Sequence, residues 1–106
     1  MKEALLGQWI QALRSGGYTQ CQGILQYRDS YCCLGVLSVI NGHVRSSGAI
    51  PYPDMPLYEE DYTDYRPGLL TDIEAQLVIP LNDTGPMDNY KRVLWLLESA
   101  PELFIS

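Results

Sequence analysis

The segment that decides the fold is residues 13–37, LRSGGYTQCQGILQYRDSYCCLGVL. It combines the end of one helix, a Gly16-Gly17 hinge, a polar strand and the start of a second helix at Cys32. Glycine ends helices because it tolerates positive φ without steric cost. Few of the polar side chains in this segment are needed simply to fold, so we expect a functional site here.

Hydrophobic periodicity on either side of the hinge predicts the first elements. Residues 3–14 predict an amphipathic helix, because apolar residues recur at spacings of three and four. Its apolar face comprises Leu5, Trp9, Ala12 and Leu13, with Leu6 and Ile10 beside it. Residues 24–28 alternate as in a half-buried strand, and Asp29 and Ser30 predict a turn and a helix N-cap. Residues 32–40 are apolar nearly all round, which predicts a buried central helix.

The middle of the chain, residues 43–68, differs in composition from the rest. It is rich in proline, tyrosine and acids, including Tyr52, Tyr58, Tyr62, Tyr65, Asp54, Glu59, Glu60, Asp61 and Asp64. This composition predicts a long irregular loop, and loops of such length are usually functional or mobile. Two interpretations stay open. The loop is either a solvated excursion whose tyrosines fold back onto the core, or an interaction loop, since Tyr is favoured at interfaces.

The last part of the chain predicts two more helices. Thr71 and Glu74 fit a capping box at the start of the first, and Pro80 is expected to stop or kink it. The second spans about residues 88–99, with Asp88 as its candidate N-cap.

These elements together predict a single α+β domain over residues 1–106, mainly helical, with about four helices, a short β-hairpin or small sheet and a long irregular middle loop. Its three parts are residues 1–42, 43–68 and 69–106. The apolar tail 103–105 needs a groove, on its own domain or on a neighbour. Because the tail and the apolar central helix exceed what a small domain covers, we expect a homo-oligomer, most simply a two-fold dimer.

The chain is acidic, with a net charge of −6 and a pI of about 4.5. An acidic chain is a poor general binder of the nucleic-acid backbone and is repelled by anionic membranes. The sequence has no run of about 18 apolar residues that would predict a membrane span, and its first residues lack the apolar core of a signal peptide. We therefore expect a cytoplasmic location, with a basic protein as one suitable partner.

Cysteine and histidine usage argues against a metal site and against catalysis. The cysteines are Cys21, Cys32 and Cys33, and His43 is the single histidine. An odd cysteine count without CxxC spacing predicts neither a disulfide framework nor a zinc site, so we expect Cys32 and Cys33 to be buried, reduced thiols. The sequence contains no P-loop, GxGxxG or HExxH motif. We expect no enzyme activity, no metal and no cofactor.

Three motifs, W-x-x-A-L-R-S-G-x-Y-x-Q, G-x-L and C-C-L-G-V-L, resemble a group of small uncharacterised proteins common in bacteriophages and their hosts. Members carry a later L-N-D-x-G segment followed by a short amphipathic helix. The matching residues are Trp9, Ala12, Leu13, Arg14, Ser15, Gly16, Tyr18, Gln20, Gly23, Leu25, residues 32–37, Leu81, Asn82, Asp83 and Gly85. After this segment the group tends to carry an aromatic residue, whereas this chain has Pro86-Met87-Asp88. The resemblance implies a phage accessory protein, and phage proteins of this size often remove nucleotide-derived signals of host immunity.

Polar residues that the fold does not require are the candidate ligand-binding residues: Arg14, Tyr18, Gln20, Arg28, Asn82 and Asp83. Arg14 either complements the helix dipole or serves as a bidentate fork for an anion. Tyr18 and Gln20 alternate along the chain, so they share a face that either reads a planar ligand or pins the hinge. If the strand is regular, the side chain of Arg28 is expected on the same face of the strand as that of Gln26.

Two functions from different classes follow from two different places in the chain. In the first, the N-terminal cluster binds and sequesters a small anionic, nucleotide-type ligand to counter host defence. In the second, an acidic inhibitor blocks a host protein through residues 52–65. We favour the first. Asn82 and Asp83 are either turn residues or ligand contacts, and Lys91 and Arg92 are interpreted as solvated helix charges.

Overall fold

The computed structural model describes residues 1–24, 26–40, 49–50 and 72–105. It confirms an α+β domain of four α-helices and one small sheet. The elements in chain order are α1 Glu3–Arg14, β1 Thr19–Gln20, β2 Gln26–Tyr27, β3 Ser30–Tyr31, α2 Cys33–Ile40, β4 Ala49–Ile50, α3 Asp72–Asp83, α4 Lys91–Ser99 and a final 3-10 turn Pro101–Leu103. Within these ranges no helix has the length and apolar character needed to cross a membrane.

The core is organised around α1 and α2. α1 confirms the predicted first helix, and its buried residues are Leu6, Trp9 and Leu13. The buried face is turned slightly from the predicted one, because Leu5 and Ala12 lie at its half-buried margin. α2 is buried over most of its length, since it packs against both α1 and α3. The apolar surface of the central helix is therefore covered by the chain itself.

The sheet has the strand order β1-β3-β2-β4. β2 and β3 form an antiparallel hairpin, and β1 pairs parallel to β3. The predicted strand 24–28 is shorter in the structure, where it is confined to β2. Gly23, with φ of +77°, bends the chain before it, and Arg28, with φ of +55°, begins the turn into β3. The premise of a regular strand through Arg28 is therefore wrong. The guanidinium of Arg28 lies 5.2 Å from the ring centroid of Tyr27, within the hairpin.

Helix α2 begins one residue later than predicted, and the residues that cap its N-terminus differ from the predicted ones. Ser30, predicted as a turn residue and N-cap, belongs to β3 instead. The thiol of Cys32 accepts a hydrogen bond from the N–H of Gly35 at 3.4 Å. The N–H of Cys33 donates to Oδ1 of Asn82 at 3.2 Å, across 49 residues of sequence. Long-range contact thus supplies an acceptor that local sequence does not.

Helix α3 continues through Pro80, so of the two predicted effects of this proline the stop is wrong, while the kink stays a prediction. Proline removes the hydrogen bond to the carbonyl four residues earlier, which belongs to Gln76. Both residues are exposed, so water can satisfy that carbonyl. The final turn is supported by a hydrogen bond from the N–H of Thr84 to the carbonyl of Pro80 at 3.0 Å. It is also held by Asn82, which is fully buried.

Helix α4 begins at Lys91, later than the predicted start at Asp88. Asp88 still caps the helix, because its Oδ2 accepts a hydrogen bond from the N–H of Arg92 at 3.1 Å. The tail packs on its own domain, where the buried ring of Phe104 meets Trp9 edge to face with centroids 6.4 Å apart. The central helix and Phe104 are thus covered within the chain, whereas Leu103 of the tail remains 48% exposed. The homo-oligomer stays a prediction.

Most of the predicted middle loop, residues 43–68, lies outside the described residues, as do Thr71 of the predicted capping box and His43. Within the loop, β4 pairs antiparallel with β2 and forms one edge of the sheet. A short strand therefore interrupts the segment predicted to be irregular. The predicted contact segment 52–65 also lies outside the described residues and stays a prediction.

Candidate functional site

A cleft opens between the end of α1, the Gly-Gly hinge and the start of α4. Its volume is about 490 Å³, within the range of about 300–1,000 Å³ that is typical of small-molecule sites. The lining residues are Leu13, Arg14, Gly16, Tyr18, Thr19, Asn89, Tyr90, Lys91 and Leu94. The cleft therefore brings two cations and two tyrosines together beside two leucines.

Arg14 is the last residue of α1 and forms an ion pair with Glu98 of α4. The two side chains are 61% and 41% exposed. An ion pair this exposed contributes little to stability, because water and salt screen it. The pair nevertheless directs the guanidinium of Arg14 toward α4. An anion that enters the cleft competes with Glu98 for this guanidinium.

The Gly-Gly hinge delivers Tyr18 to the wall of the cleft. Gly16 has a φ of +78°, a conformation that costs free energy for any residue with a Cβ atom. The half-buried ring of Tyr18 meets Tyr31 edge to face, with centroids 5.7 Å apart and an interplanar angle of 86°. This packing holds the ring in place while it borders the cleft.

The turn that leads into α4 carries backbone strain. Asn89 and Tyr90 have φ of +57° and +66°, values that are uncommon outside glycine. Oε1 of Gln20 accepts hydrogen bonds from the N–H groups of Asp88 and Tyr90, each at 3.1 Å, and so stabilises this turn. Both strained residues line the cleft. Strain of this kind clusters at ligand sites, where surrounding contacts maintain it.

Gln20 and Asn82 form a buried hydrogen-bond network behind the cleft. The amide of Gln20 donates to the carbonyl and to Oδ1 of Asn82, both at 3.2 Å. Asn82 in turn donates from Nδ2 to the carbonyl of Cys21 at 2.9 Å, and its Oδ1 accepts from the N–H of Cys33. Gln22 adds a donation to the carbonyl of Asn82 at 2.9 Å. The polar atoms of Gln20 and Asn82 are therefore engaged inside the protein.

A second polar cluster shapes the loop before α4. Arg92 donates from Nε to Oδ2 of Asp88 at 2.9 Å and from a terminal nitrogen to the carbonyl of Pro86 at 3.1 Å. Partial desolvation raises the pKa of Asp88, but the hydrogen bonds and the charge of Arg92 outweigh it and hold this pKa below its ordinary value. Arg92 is thus engaged by its own loop, whereas its neighbour Lys91 lines the cleft.

Of the candidate residues predicted from the sequence, Arg14 and Tyr18 meet in the cleft. Gln20 and Asn82 form the buried network behind the cleft. Asp83 adjoins that network, because its Oδ1 accepts a hydrogen bond from Asn82 at 2.8 Å. Arg28 lies in the turn between β2 and β3 and is not among the residues that line the cleft. The structure therefore brings together only part of the predicted cluster.

Among the residues that line the cleft but are not predicted from the sequence are Asn89, Tyr90 and Lys91. Lys91 has the pattern of any exposed charge on an amphipathic helix, and only the packing of α4 against α1 brings it to the same cleft as Arg14. One sequence signal was present. Asn is enriched at positive φ, so Asn89 just before the helix hints at the strained turn.

The cysteines lie in the core, apart from the residues that line the cleft. Cys21, Cys32 and Cys33 are buried and form no disulfide, which confirms the predicted burial of Cys32 and Cys33. Burial raises the pKa of Cys21 and raises that of Cys33 well above its ordinary value. In the part of the chain that the structure describes, no group of three His, Cys, Asp or Glu side chains is placed to hold a metal ion.

We expect the thiols of the native protein to react slowly with Ellman's reagent near pH 8, and Cys21 to react first. In urea, which unfolds the protein, all three thiols should react rapidly. The reason is that the thiolate is the reactive form, and burial disfavours it. Replacement of Cys32 or Cys33 by Ala or Ser should lower the free energy of unfolding by about 1–3 kcal/mol without specific loss of ligand binding. Rapid modification of all three thiols in the native protein would contradict this prediction.

The fold and the cleft together define a small α+β protein with a candidate anion site at the junction of its first and last helices. The model of the family described as Domain of unknown function (DUF8296) matches residues 1–82. Since the match covers most of the 106 residues, the chain belongs to this family. The matched residues include α1, the sheet and α2, while α4 lies beyond them. No curated protein and no solved structure matches the chain.

Proposed function

We propose that the protein binds a small anionic ligand of nucleotide type in the cleft and holds it without chemical change. The observation that carries this proposal is the meeting of Arg14, Tyr18 and Lys91 around one cleft on a chain with a net charge of −6. A concave site lined by cations focuses a positive potential that concentrates anions. An acidic chain that gathers two cations in a cleft therefore favours a negatively charged ligand there.

The chemistry of the two cations suits a phosphate. Arg presents a planar fork of donors, and Lys presents a compact point charge, so Arg14 and Lys91 can hold a phosphate from two sides. The start of α4 adds positive potential through the helix dipole. The N–H groups of Lys91 and Arg92 are already bonded to Asp88, so side chains rather than these amides are the donors. The ring of Tyr18 offers an apolar surface to the rest of the ligand.

Binding without turnover is supported by the composition of the cleft walls. The described residues that line the cleft include no His, Cys, Asp or Glu, which are the usual acids, bases and nucleophiles. Burial raises the pKa of Tyr90, and its hydroxyl donates to the carbonyl of Tyr31 at 2.6 Å. A neutral, internally bonded phenol is suited to shaping a site rather than to removing a proton.

The wider role we propose is sequestration of a nucleotide-derived defence signal in the cytoplasm of a phage-infected host cell. The resemblance to bacteriophage proteins supports this setting, and the phosphate chemistry of the cleft is compatible with such a signal. The expected homo-oligomer belongs to the same proposal, and light scattering at tens of micromolar protein tests it.

Arg14→Ala is expected to weaken nucleotide binding by about ten- to a hundredfold, because a hydrogen bond to a charged group contributes about 1.5–3 kcal/mol. Isothermal titration calorimetry measures this with a panel of nucleoside monophosphates, cyclic mononucleotides and cyclic dinucleotides. Circular dichroism confirms that the variant is folded.

Glu98→Gln is the matched control, because it breaks the same ion pair but keeps Arg14. We expect it to bind as well as the unmodified protein or more tightly, since Glu98 competes with the ligand. Lys2→Ala removes an exposed cation at the opposite end of α1 and controls for net charge. If Glu98→Gln loses as much affinity as Arg14→Ala, the ion pair shapes the cleft and Arg14 is not a ligand donor. If no nucleotide of the panel binds at about 1 mM, the proposal fails.

The acidic, tyrosine-rich composition of residues 52–65 favours a second candidate function, inhibition of a host protein. Replacing this segment with a short Gly-Ser linker distinguishes the two functions. Under our proposal the replacement leaves nucleotide binding largely intact. If it destroys activity in a phage-infection assay while Arg14→Ala has no effect there, the inhibitor function replaces the ligand-binding one.

A further inference from the structure

Trp95 on α4 is an exposed aromatic side chain that the packing of the domain does not account for. It is 65% exposed, whereas Trp9 is fully buried in the core. Single exposed apolar residues are common on protein surfaces, so exposure alone assigns no role to Trp95. Its position relative to the cleft is the informative feature.

Trp95 shares one face of α4 with Lys91 and Glu98. At about 100° of rotation per residue, the three positions lie within about 60° of one another around the helix axis. Lys91 lines the cleft, and Glu98 forms the ion pair with Arg14. This face of α4 therefore lies beside the cleft, which Lys91 and Leu94 line; Trp95 is not itself a lining residue. Because helical side chains lean toward the N-terminus of their helix, we expect the indole of Trp95 to extend toward the turn that carries Lys91.

We propose that Trp95 stacks on the base of the bound nucleotide at the mouth of the cleft, while Arg14 and Lys91 hold its phosphate. This inference rests on the proposed function and narrows the ligand class to phosphates that carry an aromatic base. Residues four apart on a helix are neighbours, with Cβ atoms about 6 Å apart, so one ligand can reach both Lys91 and Trp95. Stacking tolerates every base because each base has a π-face. The site therefore accepts purines and pyrimidines with modest preference.

Two probes that differ in the base test this inference: adenosine 5′-monophosphate and ribose 5-phosphate. We expect the unmodified protein to bind the nucleotide at least about tenfold more tightly than the base-free sugar phosphate. Trp95→Ala should remove this difference by weakening nucleotide binding alone, and Trp95→Phe should retain part of it. The nucleotide should also quench tryptophan fluorescence in the unmodified protein but not in Trp95→Phe, because the remaining Trp9 is fully buried.

Ile73→Ala is the matched control, since Ile73 is 73% exposed on α3, a helix that contributes no described residue to the lining of the cleft. It should leave both affinities unchanged. If Trp95→Ala binds both probes as the unmodified protein does, the stacking role is overturned and the anion site stands. Equal losses for both probes would also overturn it, because Trp95 would then act on the cleft rather than on the base. If neither probe binds the unmodified protein, the stacking role is overturned, and the proposed function is then decided by the wider panel of cyclic mononucleotides and dinucleotides.

Discussion

Asn82→Ala is expected to lower the free energy of unfolding by about 3–5 kcal/mol. This is a large part of the about 5–15 kcal/mol that stabilises a domain of this size. The substitution leaves the N–H of Cys33 and the carbonyl of Cys21 without their partner in a buried region. The amide of Gln20 loses its contact with Oδ1 but keeps the one with the backbone carbonyl. Each unsatisfied buried group costs about 1–3 kcal/mol. Because Asn82 connects α3 to the start of α2 and to the chain after β1, we expect the whole domain to lose stability.

Urea unfolding followed by circular dichroism measures this loss. Gln76→Ala is the matched control, since it removes an exposed amide from the same helix and should change stability by about 0.5 kcal/mol or less. Gln20→Ala and the double variant complete a thermodynamic cycle, in which we expect a coupling free energy of about 0.5–3 kcal/mol. Stability of Asn82→Ala equal to that of Gln76→Ala would show that the network does not hold the domain together.

The same variant separates a structural from a ligand-binding role of Asn82. Where Asn82→Ala is still folded, a structural residue leaves nucleotide affinity unchanged. A ligand contact would instead reduce affinity without a matching loss of stability. Calorimetry at low temperature therefore tests the part of the sequence prediction that placed Asn82 in the binding site.

Trp9→Ala is expected to destabilise the domain by about 3–5 kcal/mol, as large-to-small changes of buried aromatic residues do. Trp9 is fully buried and packs against Phe104 of the tail. Its indole N–H donates to the carbonyl of Cys33 at 2.9 Å. One side chain thus joins α1, the start of α2 and the end of the chain, and its loss opens a cavity where they meet.

Thermal unfolding measures the effect of Trp9→Ala as a lowered midpoint, by about 4–8 °C for each kcal/mol in a domain near this size. Trp95→Ala is the matched control, because it removes the same side chain from an exposed site and should cost about 0.5 kcal/mol or less. Trp9→Phe keeps an aromatic side chain but loses the indole N–H and the volume of the second ring, for an expected cost of about 1–3 kcal/mol. Equal midpoints for the two tryptophan-to-alanine variants would refute the prediction.

The sequence by itself determined the helices and the fold class. α1 was predicted with the bounds that the structure has, and the buried central helix was predicted to within one residue at its start. Both rest on a local signal, because the spacing of apolar residues along a helix sets which face is buried. That Arg14 and Tyr18 lie close together was also predictable from the sequence, because both adjoin the glycine hinge; their role in ligand binding stays a prediction.

Tertiary structure alone decided the features that depend on distant partners. The hydrogen bond from the N–H of Cys33, at the start of α2, to Asn82 spans 49 residues, and the contact between Gln20 and Asn82 spans 62. The extension of α3 past Pro80 is supported by the buried Asn82 in its last turn. Lys91 joins Arg14 in one cleft only because α4 packs on α1. Periodicity and local propensity carry no information about such pairings, because the free energy that selects them arises when the whole domain packs.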